Sequence, residues 1–417
     1  MGKLVYIIID GLADLPIKNL GGKTPLEYAY KPNMYYFLRH STLAYPNVLG
    51  KSAPQSDSGV MADLGYDPIK YSTGRGWFEC LGLGLDPKDS DLSLRANFGS
   101  IEGSNLKNVR VYMSSGELQE LEDEINSKVK IDADFEFKVG EGYRAGLVIR
   151  ATKYKLSAFI SENEPGYSPK FYPNGRKIGF AVPVKSKKIS KIRALKKEAK
   201  YSADLLNDFI SKSSDVIKKS RVYRDRKNHR EELPNFLFLR GGAVSDPKLP
   251  DINKTYGKNW AAVVGMPLEK GISMAAGMSI IDTGELSDIK SDFYNKSDKL
   301  NSALKKFDAV YLHIKQTDAA SHLGKYTDKY SIIESFDKII LGELSKKLDM
   351  KGGDTLVLTC DHATSSELKR HINSNIPVFI SNIKFGPNPS FGESIARTNH
   401  VKSIRHATDI LRFASRV

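Results

Sequence analysis

The chain opens on an unbroken apolar run, Leu4-Val5-Tyr6-Ile7-Ile8-Ile9, which stops at Asp10-Gly11. Without apolar/polar alternation, such a run reads as a parallel strand covered on both faces. Residues 24–40 are helix-like, with Pro25 suited to the first turn behind Thr24. Residues 42–49 read as extended, and a polar loop over 51–58 leads into another helix-like stretch. This β-α-β-α order predicts a parallel α/β sheet. The last third repeats it: strands over 309–314, 355–359 and 376–380, an amphipathic helix over 330–348 and a closing helix over 400–416. The middle is different. Short strands over 146–150 and 236–239 are separated by Lys-rich, helix-like stretches, which reads as a second domain inserted into the first. The expected division is 1–88 with 255–417 for the discontinuous core domain and 89–254 for the inserted domain.

A length of 417 residues suits two or three domains, and 40% hydrophobic with 27% charged residues describes a globular chain. Two cysteines, Cys80 and Cys360, give no disulfide framework and point to a reducing compartment. The first apolar run spans six residues, too short for a signal-peptide core or a membrane span, so the expectation is a cytoplasmic protein without membrane association. The unusual global number is a net charge of +14. It leaves nucleic acid, an anionic surface or a small phosphorylated substrate open. Much of the surplus lies in the insert: residues 185–200 hold eight bases and one acid, and 212–230 is similarly basic. Such runs usually form solvated faces, so an anion- or nucleic-acid-binding protein is the remote alternative.

Candidate chemistry collects behind the predicted strands. Asp10 ends the first. Asp318 and His322 follow the 309–314 strand four residues apart, so one helical turn would put both on one face. Asp361-His362 follow the 355–359 strand, with His371 nine residues beyond His362. Residues after several strands converge at the carboxyl edge of an open parallel sheet. Together these groups could hold two divalent metals, and mixed O/N ligation suits Mn²⁺ or Zn²⁺ better than Ca²⁺. In Pro54-Gln55-Ser56-Asp57-Ser58-Gly59 a serine could serve as nucleophile, but spacing alone favours simple N-capping of the following helix.

These segments resemble one family, the archaeal-type cofactor-independent phosphoglycerate mutases of the alkaline phosphatase superfamily. The resemblance is carried by Ile9-Asp10-Gly11-Leu12-Ala13-Asp14, Gly22-Lys23-Thr24-Pro25-Leu26-Glu27-Tyr28-Ala29, and Gln55-Ser56-Asp57-Ser58 with Leu64-Gly65-Tyr66-Asp67-Pro68. It continues through Tyr71-Ser72-Thr73-Gly74-Arg75-Gly76, Leu239-Arg240-Gly241-Gly242, Lys270-Gly271-Ile272, the run from His313 to His322, and Asp361-His362. It implies an α/β, alkaline-phosphatase-like, doubly wound, mostly parallel sheet core with a smaller inserted α/β (α+β) domain. It also implies Ser56 as the phosphoryl-accepting nucleophile. One metal would be held by Asp10, Ser56, Asp361 and His362, and the other by Asp318, His322 and His371. The two divalent ions would be Mn²⁺ first, then Zn²⁺, Co²⁺ or Mg²⁺. Arg144, Arg240 and Lys270 would clamp a phosphoglycerate, interconverted between its 3- and 2-isomers through a phosphoserine.

The insert departs from the family pattern. An arginine-rich signature is replaced by Val109-Arg110-Val111-Tyr112-Met113-Ser114-Ser115-Gly116. A paired-aspartate motif, one member of which serves as general base, appears as Ser161-Glu162-Asn163-Glu164-Pro165; Glu164 keeps the carboxylate about one methylene further out. After His371, Ile372-Asn373-Ser374-Asn375 stands where the family has Gly-Asp. The alternative to a mutase is therefore a phosphomonoesterase, or a mutase of another small phosphate ester, on the same machinery.

Overall fold

In the computed structural model, the run Leu4–Ile9 is a fully buried strand, as its uninterrupted apolar character requires. The structure describes residues 2–150, 153–182, 184, 186–284 and 286–417. They divide into two compact units, Met1–Pro68 with Leu249–Val417, and Ile69–Lys248.

The first unit is built on a seven-stranded sheet in the order Ser279–Asp282, Trp260–Val264, Ala309–Ile314, Leu4–Ile9, Thr355–Thr359, Val378–Ser381, Ser41–Ala44. The first five strands run parallel, and the last two pair antiparallel at one edge. Leu4–Ile9 lies between the two strands whose following loops carry the other candidate ligands. Its register pairs Ile9 with Ile314 and Ile8 with Thr359, so Asp10, Lys315 and Cys360-Asp361 leave the sheet side by side.

The second unit has an antiparallel sheet of Asn105–Asn108, Leu92–Glu102, Arg144–Arg150 and Asp134–Val139, with Phe236–Ala243 also paired to Leu92–Glu102. Helices Ser115–Lys128 and Lys200–Lys219 pack on it through Leu118, Leu121, Ile125, Leu206 and Phe209. A separate hairpin pairs Tyr167–Phe171 with Lys177–Ala181.

Several expectations are corrected. The boundaries fall at 68/69 and 248/249 instead of 88/89 and 254/255. The reason is helix Arg75–Gly82, which belongs to the second unit: Cys80 Sγ bonds the carbonyls of Leu94 and Leu147 at 3.5 and 3.6 Å. The helix expected over 24–40 is two, Pro25–Tyr28 and Pro32–Leu38, because Pro32 forces Lys31 out of helical geometry. Only Ser41–Ala44 of the extended segment 42–49 is strand. The closing helix is Thr408–Ala414; the residues before it spend backbone bonds on the edge strand and its loop, Val401 N to Leu43 O and Ala407 N to Asn47 O.

In the basic stretch 185–200, Lys185 lies outside the described residues. Residues 186–196 are not helical, since Ile189 N donates to Ser104 O and Leu195 N to Phe159 O, and only a 3-10 turn, Lys197–Ala199, precedes helix Lys200–Lys219. Residues 212–228 fall in two helices, Lys200–Lys219 and Arg221–Asn228, separated by Ser220, which caps the second, and His229 and Arg230 form the turn that follows. Their exposed cations pair with acids, as in Lys212–Asp208 at 2.8 Å and Arg221–Glu120 at 2.5 Å.

Beneath the central strand ends lies a buried polar clamp. Lys329 Nζ donates to Asp14 Oδ2 and the Thr364 carbonyl, both at 3.0 Å. Asp14 also accepts from Ser366 Oγ at 2.7 Å. Glu393 accepts from Asp14 N at 2.9 Å and Thr24 Oγ1 at 2.6 Å. Burial pushes the Glu393 carboxyl up to about 7, against those donors.

The folded state therefore holds the Glu393 proton more tightly than the unfolded chain, so this stabilisation is complete below the ordinary pKa of 4.5 and is lost as pH rises through about 7. Glu393→Gln, which mimics the neutral acid, should match wild type in chemical denaturation at pH 4.5. At pH 8 it should be the more stable of the two, by at most about 3 kcal/mol. An equal difference at the two pH values would refute the assignment.

Candidate functional site

Three strand ends and two helix starts build the site of the first unit. Asp10 follows Leu4–Ile9, and its buried carboxylate accepts from the Lys315 ammonium, which leaves the neighbouring strand. The Lys315 ammonium also stands 3.2 Å from Asp318 Oδ2. Helix Gln316–Leu323 carries Asp318 and His322 one turn apart, with His322 Nε2 3.4 Å from Asp318 Oδ1. Asp361 and His362 follow Thr355–Thr359. His362 Nε2 lies 3.1 Å from Asp10 Oδ1 and 3.3 Å from Asp361 Oδ2. His371 sits on Arg370–Ile372, which pairs with Ala363–Ser365, and reaches Asp318 Oδ1 at 3.4 Å. Ser56 opens helix Ser56–Asp63, whose N-cap is Gln55, and its Oγ stands 3.3 Å from His362 Nε2.

The residues that the resemblance assigned to two metals lie at this one edge, but the closest groups divide them differently, with His362 common to both and His322 in neither. Ligand-type atoms of Asp10, Asp361 and His362, and of Asp318, His362 and His371, approach within 4.8 Å of one another. His371 Nδ1 and His322 Nδ1 donate to the carbonyls of Pro54 and Lys369 at 2.8 and 3.1 Å, so each turns a bare Nε2 into the cluster. Asp10 Oδ1 and Asp361 Oδ2 are buried and accept no hydrogen bond. Buried acceptors left open, facing bare imidazole nitrogens, are the donor set of a divalent-cation site.

The electrostatics match. Burial alone would raise the Asp10 and Asp318 carboxyls, but the Lys315 ammonium holds both well below the usual carboxylate range. Asp361, buried beside Asp10, is pushed well above it. The Lys315 ammonium thus stands against both Asp10 and Asp318. Four residues of this neighbourhood were missed in the sequence: Glu269, His313, Lys315 and Thr364. His313 Nε2 lies 3.6 Å from Asp10 and 3.5 Å from Glu269, while its Nδ1 meets Tyr311 Oη at 2.9 Å. His313 and Lys315 lie within the recognised run up to His322, but no spacing rule distinguished them. Lys270 is half-buried in this unit and pairs with Asp282 at 2.7 Å.

The second unit gathers guanidinium groups. Arg240 pairs with Glu164 at 2.8 Å and stacks 3.7 Å over the Tyr167 ring. Arg75 and Arg95 share Glu79 at 2.7 and 3.2 Å. Burial would raise Glu79, but these two guanidiniums pull it down to about 2. Burial and the positive charge of Arg240 lower Arg95 to about 10. Arg110 and Arg144 lie over the Tyr143 ring at 5.6 and 4.8 Å. Arg75, Arg95 and Arg110 were not singled out from sequence; the four-residue spacing of Arg75 and Glu79 was the available signal.

In the first unit, Gly11 lies directly against Thr364 and Asp318. It has a φ of +61°, and a Cβ there would stand 2.7 Å from Thr364 Oγ1 and 2.9 Å from Asp318 Oδ1. Gly11→Ala should cost about 1–3 kcal/mol in denaturant unfolding, from the left-handed backbone alone. It should also weaken divalent-ion binding in a chelator competition; wild-type stability and affinity in the variant would refute the close approach.

Residues 44–223 match the family model described as 2,3-bisphosphoglycerate-independent phosphoglycerate mutase. The 2,3-bisphosphoglycerate-independent phosphoglycerate mutase of Pyrococcus abyssi is 32% identical over 414 residues, covering 97% of this chain and 94% of that protein. A solved structure of a Pyrococcus horikoshii protein superposes with a TM-score of 0.78 at 27% identity, covering 99% of this chain and 96% of that one. The cofactor-independent phosphoglycerate mutase of Thermoplasma acidophilum shares the fold, with a TM-score of 0.61 at 24% identity over 100% of this chain and 99% of that one. With an identity of 32% across nearly its whole length, this chain belongs to the 2,3-bisphosphoglycerate-independent phosphoglycerate mutase family.

Proposed function

We propose that the protein interconverts 3-phosphoglycerate and 2-phosphoglycerate through a phosphoserine at Ser56. The observation that carries the reading is the placement of Ser56 Oγ, 3.3 Å from His362 Nε2 and at the first turn of a buried helix. That end of the helix bears partial positive charge, which stabilises a serine alkoxide. Family membership supplies the substrate class, as the relatives carry the mutase name.

The donor set fits two divalent ions. Asp10, Ser56, Asp361 and His362 would hold one, and Asp318, His322 and His371 the other. Carboxylate and imidazole ligands accept Mn²⁺, with Zn²⁺, Co²⁺ or Mg²⁺ as substitutes. Bound there, such ions polarise the phosphoryl oxygens and lower the serine pKa. The chain's own part is positional. Ser56 Oγ forms a bond to phosphorus as the ester oxygen leaves and takes a proton. Retained glycerate then presents its other hydroxyl to the phosphoserine, that hydroxyl loses its proton, and Ser56 Oγ is released.

Retention of glycerate is assigned to the cationic side chains that match the family's motifs, Arg240, Arg144 and Lys270. Guanidinium groups suit carboxylate and phosphate through bidentate hydrogen bonds. Glu164, paired with Arg240 at 2.8 Å, is the carboxylate assigned to exchange protons with the glycerate hydroxyls.

Incubation of the Mn²⁺-loaded protein with 3-phosphoglycerate should give 2-phosphoglycerate in excess over free phosphate. Free phosphate as the main product would establish the phosphatase alternative, and no turnover with any of the four ions would refute both. Ser56→Ala should lower kcat by at least about 10³-fold. Mass spectrometry of acid-quenched wild type should place phosphate on Ser56; phosphate on Ser58 would overturn the nucleophile assignment.

A further inference from the structure

We propose that the buried hydroxyl of Thr364 sets the tautomer of His362 and ties it to Asp318, so that one side chain positions a ligand in each of the two metal groups. The inference rests on the two-ion reading above and adds to it a residue that touches neither substrate nor ion.

A hydroxyl has one proton and two lone pairs. Thr364 Oγ1 lies 2.9 Å from Asp318 Oδ1 and 3.0 Å from His362 Nδ1. An ionised carboxylate can only accept, so the hydroxyl proton goes to Asp318. The contact with His362 must then run the other way, with Nδ1–H donating to Oγ1. That leaves Nε2 of His362 without a proton, facing Asp10 Oδ1 at 3.1 Å, Asp361 Oδ2 at 3.3 Å and Ser56 Oγ at 3.3 Å. His322 and His371 have their tautomers fixed by backbone carbonyls, which can only accept. His362 depends on a group that could donate or accept, and Asp318 in the other metal group decides which.

The hydroxyl is itself held in place. Thr364 N donates to Ala13 O at 2.9 Å, and the Thr364 carbonyl accepts from Lys329 Nζ at 3.0 Å. The residue is fully buried, so water has no route to replace its hydroxyl. Gly11 leaves the space that Oγ1 occupies. Without the hydroxyl, nothing in this arrangement holds the proton on Nδ1. The alternative tautomer, with Nε2–H donating to Asp10 or Asp361, then competes with an ion for the same nitrogen.

The test uses full-length metal-free protein labelled with ¹⁵N-histidine, at pH 8, together with Mn²⁺ and Zn²⁺ competition against a chelator. In wild type His362 should carry its proton on Nδ1. Thr364→Val, of similar shape but without the hydroxyl, should move it to Nε2 and weaken ion binding about 10–100-fold. Thr364→Ser should restore both the tautomer and the affinity. Circular dichroism establishes that each variant is folded.

An Nε2–H tautomer in wild type overturns the proposal whether or not Thr364→Val folds. So does a folded Thr364→Val with the wild-type tautomer and affinity. A wild type that binds no divalent ion yet shows the tautomer change upholds the proton arrangement and refutes the two-ion reading alone.

Discussion

Everything in the first unit turns on the cost of burying several carboxylates at one sheet edge. Asp10, Glu269, Asp318 and Asp361 are all buried there, and taking each such charge out of water costs several kcal/mol unless it is compensated. Lys315 supplies part of the compensation, lying against Asp10 and 3.2 Å from Asp318. The open oxygens of Asp10 and Asp361 mark what it leaves undone. A site built this way has a standing demand for cations, and the imidazole nitrogens turned toward it make that demand one for divalent metals.

Holding such a cluster requires a rigid surround. The clamp of Asp14, Lys329, Ser366, Glu393 and Thr24 fastens the loop after the first strand to the loop after Thr355–Thr359. Its members are buried and hydrogen-bonded, the condition under which a polar network specifies one arrangement instead of loosening the core. The second unit applies the opposite sign. Arg75, Arg95 and Arg240 are gathered around Glu79 and Glu164, and burial, with the positive charge of Arg240 beside it, lowers Arg95 to about 10. Such a surplus has a standing demand for anions. The net charge of +14, by contrast, says little about function, since the cations of the basic helices are exposed and partly paired with neighbouring acids.

The readable parts of the sequence were those governed by local rules. The strands Leu4–Ile9, Ala309–Ile314 and Thr355–Thr359 match the apolar runs that predicted them, because a strand covered on both faces has no polar positions to blur its ends. The four-residue spacing of Asp318 and His322 became a shared helix face. Where local pattern competed with long-range hydrogen bonding, it lost. The Lys-rich stretch before Lys200 has helical composition, but Ile189 N and Leu195 N bond the distant carbonyls of Ser104 and Phe159, and it is helical only in the 3-10 turn Lys197–Ala199. The helix expected from residue 400 starts only at Thr408 because Val401 and Ala407 bond the edge strand and its loop.

The sequence by itself determined which residue types stand behind which strands, and hence that Asp10, Asp318, His322, Asp361, His362 and His371 could share an edge. It could not determine strand order or register. Those placed Leu4–Ile9 between Ala309–Ile314 and Thr355–Thr359 and so brought Lys315 against Asp10. Nor could its spacing separate Ser56 as a cap from Ser56 as a nucleophile, since both readings suit a helix start; the fold makes Gln55 the N-cap and sets Ser56 Oγ 3.3 Å from His362 Nε2, 306 residues away. Arg75, Arg95 and Arg240 likewise looked like unrelated cations until their strands and helix met around Glu79 and Glu164. The physical reason is common to all three. Secondary structure follows from interactions within a few residues, whereas charge compensation and the placing of protons depend on partners that meet only when the sheet is assembled.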